Sequence, residues 1–243
     1  MTAHPVDWRP AGVLGGLGPM ATVYFLATVI RLTDADTDQG HVDMIVWQRA
    51  SVPDRTAYLT GVAGAADPLP AMVEAAQTLE AGGATLIAMP CNTAHYFHDA
   101  LDASVSIPFL NIVTETLSWA GRRVPELSRL GVLATDGTVA TGTYQRYAAT
   151  AGIECVLPDP AVQVDVMSQI TDVKAGRPVA PARFRAGIEH LRAKGAQAVA
   201  IGCTELSQLV QDHGVTDHDV VDSLDSLART TILRCGKRLR DEN

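Results

Sequence analysis

Twice along the chain a short apolar run is followed, one residue on, by a cysteine and then by small polar residues. Ala84 to Met89 leads into Pro90-Cys91-Asn92-Thr93, and Ala198 to Ile201 leads into Gly202-Cys203-Thr204-Glu205. Runs this short and this continuously apolar predict strands buried on both faces, the pattern of a parallel sheet. Such a strand feeds a loop and then a helix, and in open α/β sheets ligands gather at that strand end. A thiol there, beside the positive end of a helix, is drawn toward the thiolate and so toward work as a base or nucleophile. Either cysteine alone reads better as a small buried residue. The matched setting of the pair is what favours chemistry.

The rest of the chain is organised around these two points. Gly12 to Leu14 predicts a short strand running into the turn Gly15-Gly16-Leu17-Gly18, with a helix opening at Pro19, a favoured first helical residue. Val42 to Trp47 predicts a second strand, Leu69 to Gly82 an alanine-rich helix, and Thr85 to Met89 the strand before Cys91. A second start appears at Leu130-Gly131-Val132-Leu133-Ala134-Thr135, where Gly131-Val132-Leu133 repeats Gly12-Val13-Leu14. Asp136-Gly137-Thr138 then reads as a turn, Thr143 to Thr150 as a helix, and Phe184 to Lys194 as the helix before the second cysteine strand.

From Gly12 to Cys91 is 79 positions and from Gly131 to Cys203 is 72. That spacing predicts a duplication: two pseudo-symmetric Rossmann-like α/β lobes, each a mostly parallel sheet flanked by helices, with the active site in the cleft between them. The linker is expected between Asn111 and Glu126, and the amphipathic stretch Ser223 to Arg240 is expected to return to the first lobe. Residues 1–114 plus 222–243 then make the first lobe and residues 115–221 the second.

Composition narrows the partners. A formal charge of -8 disfavours nucleic acid and membrane surfaces, which call for a basic face. The start Met1-Thr2-Ala3-His4-Pro5 lacks a charged n-region, and Val23 to Ile30 is too short to span a bilayer, so a cytoplasmic protein is expected. The 4 cysteines show no CxxC and no metal-ligand spacing; they are expected as free thiols with no metal site.

Removing a proton from a carbon next to a carboxylate needs a base on one face, an acid on the other for inversion, and donors that hold the developing negative charge. Two opposed thiols supply the first pair. Helix N-terminal amides and the side chains of Asn92, Thr93 and Thr204 are candidates for the donors. No cofactor is then required.

At these residues the chain resembles a known family. Pro90-Cys91-Asn92-Thr93-Ala94-His95 and Gly202-Cys203-Thr204-Glu205-Leu206 are similar to the paired signatures of the aspartate/glutamate racemase superfamily, enzymes that act without pyridoxal phosphate. Gly15-Gly16-Leu17-Gly18-Pro19-Met20-Ala21-Thr22 resembles that family's N-terminal turn, and Val52-Pro53-Asp54-Arg55-Thr56 its substrate loop. Glu205 stands where the cell-wall glutamate racemases carry histidine, which places the resemblance in the aspartate racemase branch.

The resemblance implies that Cys91 and Cys203 are the acid/base pair and that Gly16, Met20, Arg55, Asn92, Thr93, Lys174, Thr204 and Glu205 surround an acidic amino acid such as aspartate or glutamate. Asn92, Thr93 and Thr204 would hold its α-carboxylate, and Arg55, with its planar fork, a substrate carboxylate. Lys174 resembles a family lysine near the substrate side chain. The family also implies a homodimer. Trp47-Gln48-Arg49-Ala50 departs from the family pattern: Arg49 either enters the cleft as a specificity residue, or faces solvent or pairs with Asp43 or Asp54.

Other readings compete. Gly16-x-Gly18-x-x-Ala21 fits a dinucleotide fingerprint, so an NAD(P)-dependent oxidoreductase is one alternative. His95 and His98 suggest a metal, but no third ligand stands in spacing. A non-catalytic dicarboxylate-binding protein would tolerate serine at both cysteines. Within the superfamily, maleate cis/trans isomerase and hydantoin racemase share the framework; the cations Arg55, Arg49 and Lys174 argue for an acidic substrate.

Overall fold

The structure is a computed structural model that describes residues 9–240. The expectation that the chain starts without a leader concerns residues 1–8, which lie outside the described residues.

The first half runs β1 (Ala11–Gly15), α1 (Pro19–Leu32), β2 (Met44–Gln48), α2 (Arg55–Leu59), α3 (Leu69–Ala81), β3 (Leu86–Ala88), α4 (His98–Asp102) and α5 (Ile112–Arg123). The second half runs β4 (Arg129–Ala134), α6 (Asp136–Ala140), α7 (Thr143–Thr150), β5 (Glu154–Val156), α8 (Pro160–Lys174), α9 (Pro181–Ala193), β6 (Ala198–Gly202), α10 (Thr204–Asp212), β7 (Val220–Asp222) and α11 (Ser223–Arg234).

The strands form two sheets, ordered β2-β1-β3 and β5-β4-β6-β7, and every pairing within them is parallel. Phe109 bridges Ile87 in parallel, so the first sheet gains at its β3 edge what β7 supplies beside β6. The two orders therefore match strand for strand. β3 and β6, the strands that lead to Cys91 and Cys203, hold the same place in each.

Alternation along the strands sorts the core into three layers. Ala11, Val13, Leu86 and Ala88 of the first sheet and Leu130, Val132, Ala134, Ala198 and Ala200 of the second all reach one shared core. Leu14, Ile87 and Met89 point the other way into an outer core with α3, and Leu133, Val199 and Ile201 into an outer core with α8 and α9. Between the sheets lie α1, α5 and α11, which contribute Phe25, Val29, Ile112, Val113, Leu224 and Leu227.

The repeated glycine now has a reason. A Cβ on Gly12 would stand 2.9 Å from Ala84 Cβ, and one on Gly131 would stand 2.9 Å from Leu191 Cβ. Each half needs a missing side chain where its first strand meets its outer layer.

Three expectations change. Asn111 to Glu126 is not mainly a linker: Ile112 to Arg123 form α5, with Asn111 as N-cap accepting from Val113 and Thr114, and the helix packs on α7, α11, β6 and β7. The final helix ends at Arg234, six residues before the expected Arg240, because Gly236 takes a left-handed turn at φ 76°. α11 packs against α1 and α5, and the tail returns beside α1 through a Thr33–Leu239 bridge. Finally, α8 was not read from the sequence. Its apolar residues Val162, Val166, Met167, Ile170 and Val173 keep helical spacing, but polar residues fill the gaps so evenly that the stretch reads as surface.

Candidate active site

Both cysteines arrive at one small cavity. It is lined by Leu17, Asp54, Arg55, Thr56, Cys91, Asn92 and Thr93 from the first half and Thr135, Lys174, Cys203, Thr204 and Glu205 from the second. Cys91 and Cys203 are 5% and 3% exposed. Each sits just beyond its strand, where a parallel sheet leaves its carboxyl ends open.

The two thiols have different surroundings. Cys203 is the N-cap residue of the nine-residue α10, whose first amides lack intrahelical partners. Its Sγ donates to Glu205 Oε2 at 3.1 Å. Burial and the Glu205 carboxylate push the Cys203 thiol well up, with Lys174 pulling weakly the other way. After Cys91 the expected helix is only a 3-10 turn, Thr93–Phe97, followed by the short α4. The aligned peptide dipole is correspondingly smaller there.

His95 braces that turn from within. Its Nδ1 lies 2.8 Å from the Cys91 carbonyl and its Nε2 3.3 Å from the Leu110 carbonyl. Burial lowers its pKa to about 4, so the ring is neutral and holds backbone. His98 likewise meets the Phe109 carbonyl, at 3.0 Å.

Asn92 lines the cavity and also ties the Cys91 loop to α7 and α11. Its Nδ2 donates to Ser223 Oγ at 2.8 Å and its Oδ1 accepts from the Tyr144 hydroxyl at 2.8 Å. These bonds use one of the two Nδ2 hydrogens and fix the plane of the amide. Thr93 and Thr204 remain as hydroxyls in the wall.

Arg55 opens α2 behind the N-cap Asp54, whose carboxylate accepts from Ala57 N. Its Nη1 donates to the carbonyls of Val52 and Pro53 at 3.2 and 2.9 Å, and Nη2 to Leu17 O at 2.7 Å. The Nε is buried with no partner among the described residues. Lys174, at the end of α8, stands 4.0 Å from Glu205 Oε1. Burial alone would lower the Lys174 pKa, but the acidic groups around it, the Glu205 carboxylate first, outweigh it and hold the ammonium above its ordinary value.

A wider cavity of about 420 Å³ adjoins the inner one and shares Asp54, Arg55, Lys174 and Glu205 with it. Gly16, Gly18, Met20, Val52, Val173 and Gln208 are among the other residues of its wall, with Met20 56% exposed. Gly16 has φ 91°, and a Cβ there would meet the Arg49 carbonyl carbon at 2.5 Å. The glycine is explained by the chain's own backbone, with no dinucleotide invoked.

Arg49 does not enter either cavity. Its Nη2 pairs with Glu74 Oε2 at 2.7 Å, its Nη1 donates to Ala71 O at 2.9 Å, and its guanidinium lies 5.1 Å from the centre of the Trp47 ring. Strand alternation turned it toward α3, and neither suggested partner, Asp43 or Asp54, is the one it takes.

Thr135, Leu17, Asp54 and Thr56 were missed as wall residues. Thr135 carried a usable signal: it directly follows β4, the counterpart of β1, and strand ends face the cleft in this architecture.

The profile of the Asp/Glu/Hydantoin racemase family matches residues 14–231. The chain belongs to that family. This racemase is 30% identical to the aspartate racemase of Picrophilus torridus, with 96% of each chain covered and a TM-score of 0.81. It is 28% identical over 228 residues to the broad specificity amino-acid racemase RacX of Bacillus subtilis, covering 91% of this chain and 96% of the relative. A glutamate racemase from Francisella tularensis, 17% identical with a TM-score of 0.65 over 93% of this chain and 80% of that one, shares the fold. The racemase is thus an enzyme of the isomerase class. No helix among its described residues is long and apolar enough to cross a membrane.

Proposed function

We propose that the enzyme racemises an acidic amino acid, of the aspartate or glutamate type, by moving the α-proton between Cys91 and Cys203 with no cofactor. One observation carries the reading: the two cysteines follow strands of equivalent place in two matching parallel sheets and line the same cavity.

In the chemistry this supports, the substrate α-carboxylate lies among the hydroxyls of Thr93 and Thr204 at the start of α10. A thiolate takes the α-proton, leaving the electron pair on the carbon and its carboxylate. The opposite thiol then gives its proton to the other face, so one sulfur gains what the other loses and the stereocentre inverts. Glu205 keeps the proton on Cys203, which leaves Cys91 to serve as the base for one enantiomer. For the other enantiomer, Glu205 is the group within reach to accept the Cys203 proton. The unpaired Arg55 Nε and the Lys174 ammonium are the cations available to a second carboxylate.

The same reading takes residues 1–114 with 222–243 and residues 115–221 as the two lobes, and the enzyme as a cytoplasmic homodimer. The experiment is incubation with L-aspartate and L-glutamate in D2O without pyridoxal phosphate, following α-deuterium and chirality together. Exchange with inversion supports the reading, and absence of exchange from every amino acid tried rejects it.

A second reading is favoured by the outer cavity. Its apolar walls Met20, Val52 and Val173 give room for side chains longer than that of aspartate, in keeping with the similarity to a broad specificity racemase. A panel of neutral and basic amino acids in the same assay decides between the two.

A further inference from the structure

Two consecutive buried residues brace both thiol loops. Asp222 and Ser223 stand where β7 gives way to α11. Ser223 Oγ accepts from Asn92 Nδ2 at 2.8 Å, and Asn92 directly follows Cys91. Asp222 Oδ1 accepts from the hydroxyl of Ser207, which lies in the first turn of α10, the helix that Cys203 caps. The Ser207 amide in turn donates to the Cys203 carbonyl at 3.1 Å.

Neither anchor is loose. Asp222 stands opposite Ile201 in the β6–β7 ladder and caps α11, its Oδ1 also accepting from Leu224 N at 3.0 Å. Its carbonyl accepts from Ser226 Oγ at 2.8 Å. α11 lies in the core shared by the two sheets and packs against α1 and α5. Cys91 and Cys203 follow strands of different sheets, yet residues of adjacent number hold one loop each. The Cα atoms of such neighbours are about 3.8 Å apart across a planar peptide unit, so the two holds cannot shift independently.

Proton transfer on both faces of one carbon is sensitive to this spacing. Reacting atoms must approach to about 3–3.5 Å, and a misplacement on the order of 1 Å costs about a hundredfold in rate. A thiol loop released from its anchor keeps its sulfur but loses its distance to the shared carbon.

We propose that Asp222 and Ser223 are positioning residues that set the placement of the two thiols relative to each other, Ser223 through Asn92 and Asp222 through Ser207. The inference rests on the two-base reading given above. It makes the start of α11 the common mount of both halves of the site.

The test follows α-deuterium and chirality for both enantiomers in D2O with the full-length enzyme carrying S223A, S207A or T231V, with thermal midpoints measured alongside. The quantity read is the ratio of deuterium gained with retention to deuterium gained with inversion. S223A frees the Cys91 loop and S207A the turn after Cys203; kcat should fall roughly tenfold or more while KM stays within about threefold. Each variant should also raise the ratio severalfold for one enantiomer, a different one for each, because the carbanion waits for a displaced acid on its far face. A smaller folded fraction lowers both routes together and leaves the ratio unchanged. T231V removes another buried hydroxyl of α11, one bonded to Leu227 O within the helix, and should keep the wild-type ratio and kcat. Unchanged ratios in S223A and S207A overturn the inference, as does a rise for the same enantiomer in both or a T231V enzyme that behaves like S223A. Should S223A fail to fold, the ratio in S207A decides. If the wild-type enzyme exchanges no α-proton at all, the underlying racemase reading has failed instead, and the inference goes with it.

Discussion

The Cys203 thiol donates to the Glu205 carboxylate at 3.1 Å, while Glu205 also stands 4.0 Å from the Lys174 ammonium. This chain of contacts makes the two halves of a duplicated site chemically unequal. One sulfur is held as an acid by a neighbouring negative charge, and the other has no carboxylate in that position.

The inequality shows in the pH profile. A thiol that must keep its proton sets the alkaline limb of kcat/KM. Burial and then Glu205 raise the Cys203 pKa, so E205Q, which removes the charge, should move that limb to lower pH by about one unit or more. Because two enantiomers are equal in energy, kcat/KM must fall equally in both directions, and any asymmetry will appear only in kcat and KM taken separately. An alkaline limb that stays in place would show that Glu205 does not control the thiol.

Arg49 is held by α3 and should be silent in catalysis. R49Q is expected to change KM for any amino acid less than about twofold, with a stability loss on the order of 1 kcal/mol or less from the part-exposed pair with Glu74. A change in substrate preference would contradict the geometry.

Tyr144 is fully buried and its hydroxyl donates to Asn92 Oδ1. Y144F leaves that carbonyl oxygen without its donor, so stability should fall by about 1–3 kcal/mol in chemical denaturation. Activity should fall too, because Asn92 stands between Cys91 and Thr93 in the cavity wall. An unchanged denaturation midpoint would mean that the bond contributes nothing net.

Asp222 and His95 give stability opposite slopes with pH. Burial, then the charge of Asp225, raises the Asp222 carboxyl from 3.8 to about 7. The folded protein therefore holds a proton that the unfolded chain releases near pH 4, and this contribution is full below pH 4 and lost as pH rises through about 7. Burial lowers His95 from 6.5 to about 4, so its contribution is full above pH 6.5 and lost as pH falls through about 4. D222N mimics the protonated acid and can still accept from Ser207 and Leu224. It should match wild type near pH 4 and exceed it at pH 8 by up to about 4 kcal/mol. Equal stabilities at pH 8 would refute the buried, proton-holding state of Asp222.

The fold was legible because its signals are local and repeated. Continuous apolar runs marked β3 and β6, and Gly12 and Gly131 marked β1 and β4, where each half leaves no room for a Cβ. The cavity residues on strand ends were legible for the same reason. What escaped was set by long-range direction. Nothing local says that Arg49 turns to Glu74, that the Asn92 amide bonds to Tyr144 and Ser223, or that Thr135 meets Thr93 across the cleft. α8 escaped because its apolar face is thin, although it is the element that brings Lys174 to the site.

The central claim is that Cys91 and Cys203 act on opposite faces of one carbon. It is tested most directly by following α-deuterium and chirality for both enantiomers in D2O with C91S and C203S. Each variant should lose racemisation by roughly a thousandfold or more while either can retain slow exchange of one enantiomer only, a different one for each variant. If both single variants racemise at the wild-type rate, or both exchange the same enantiomer, the two-base account is contradicted.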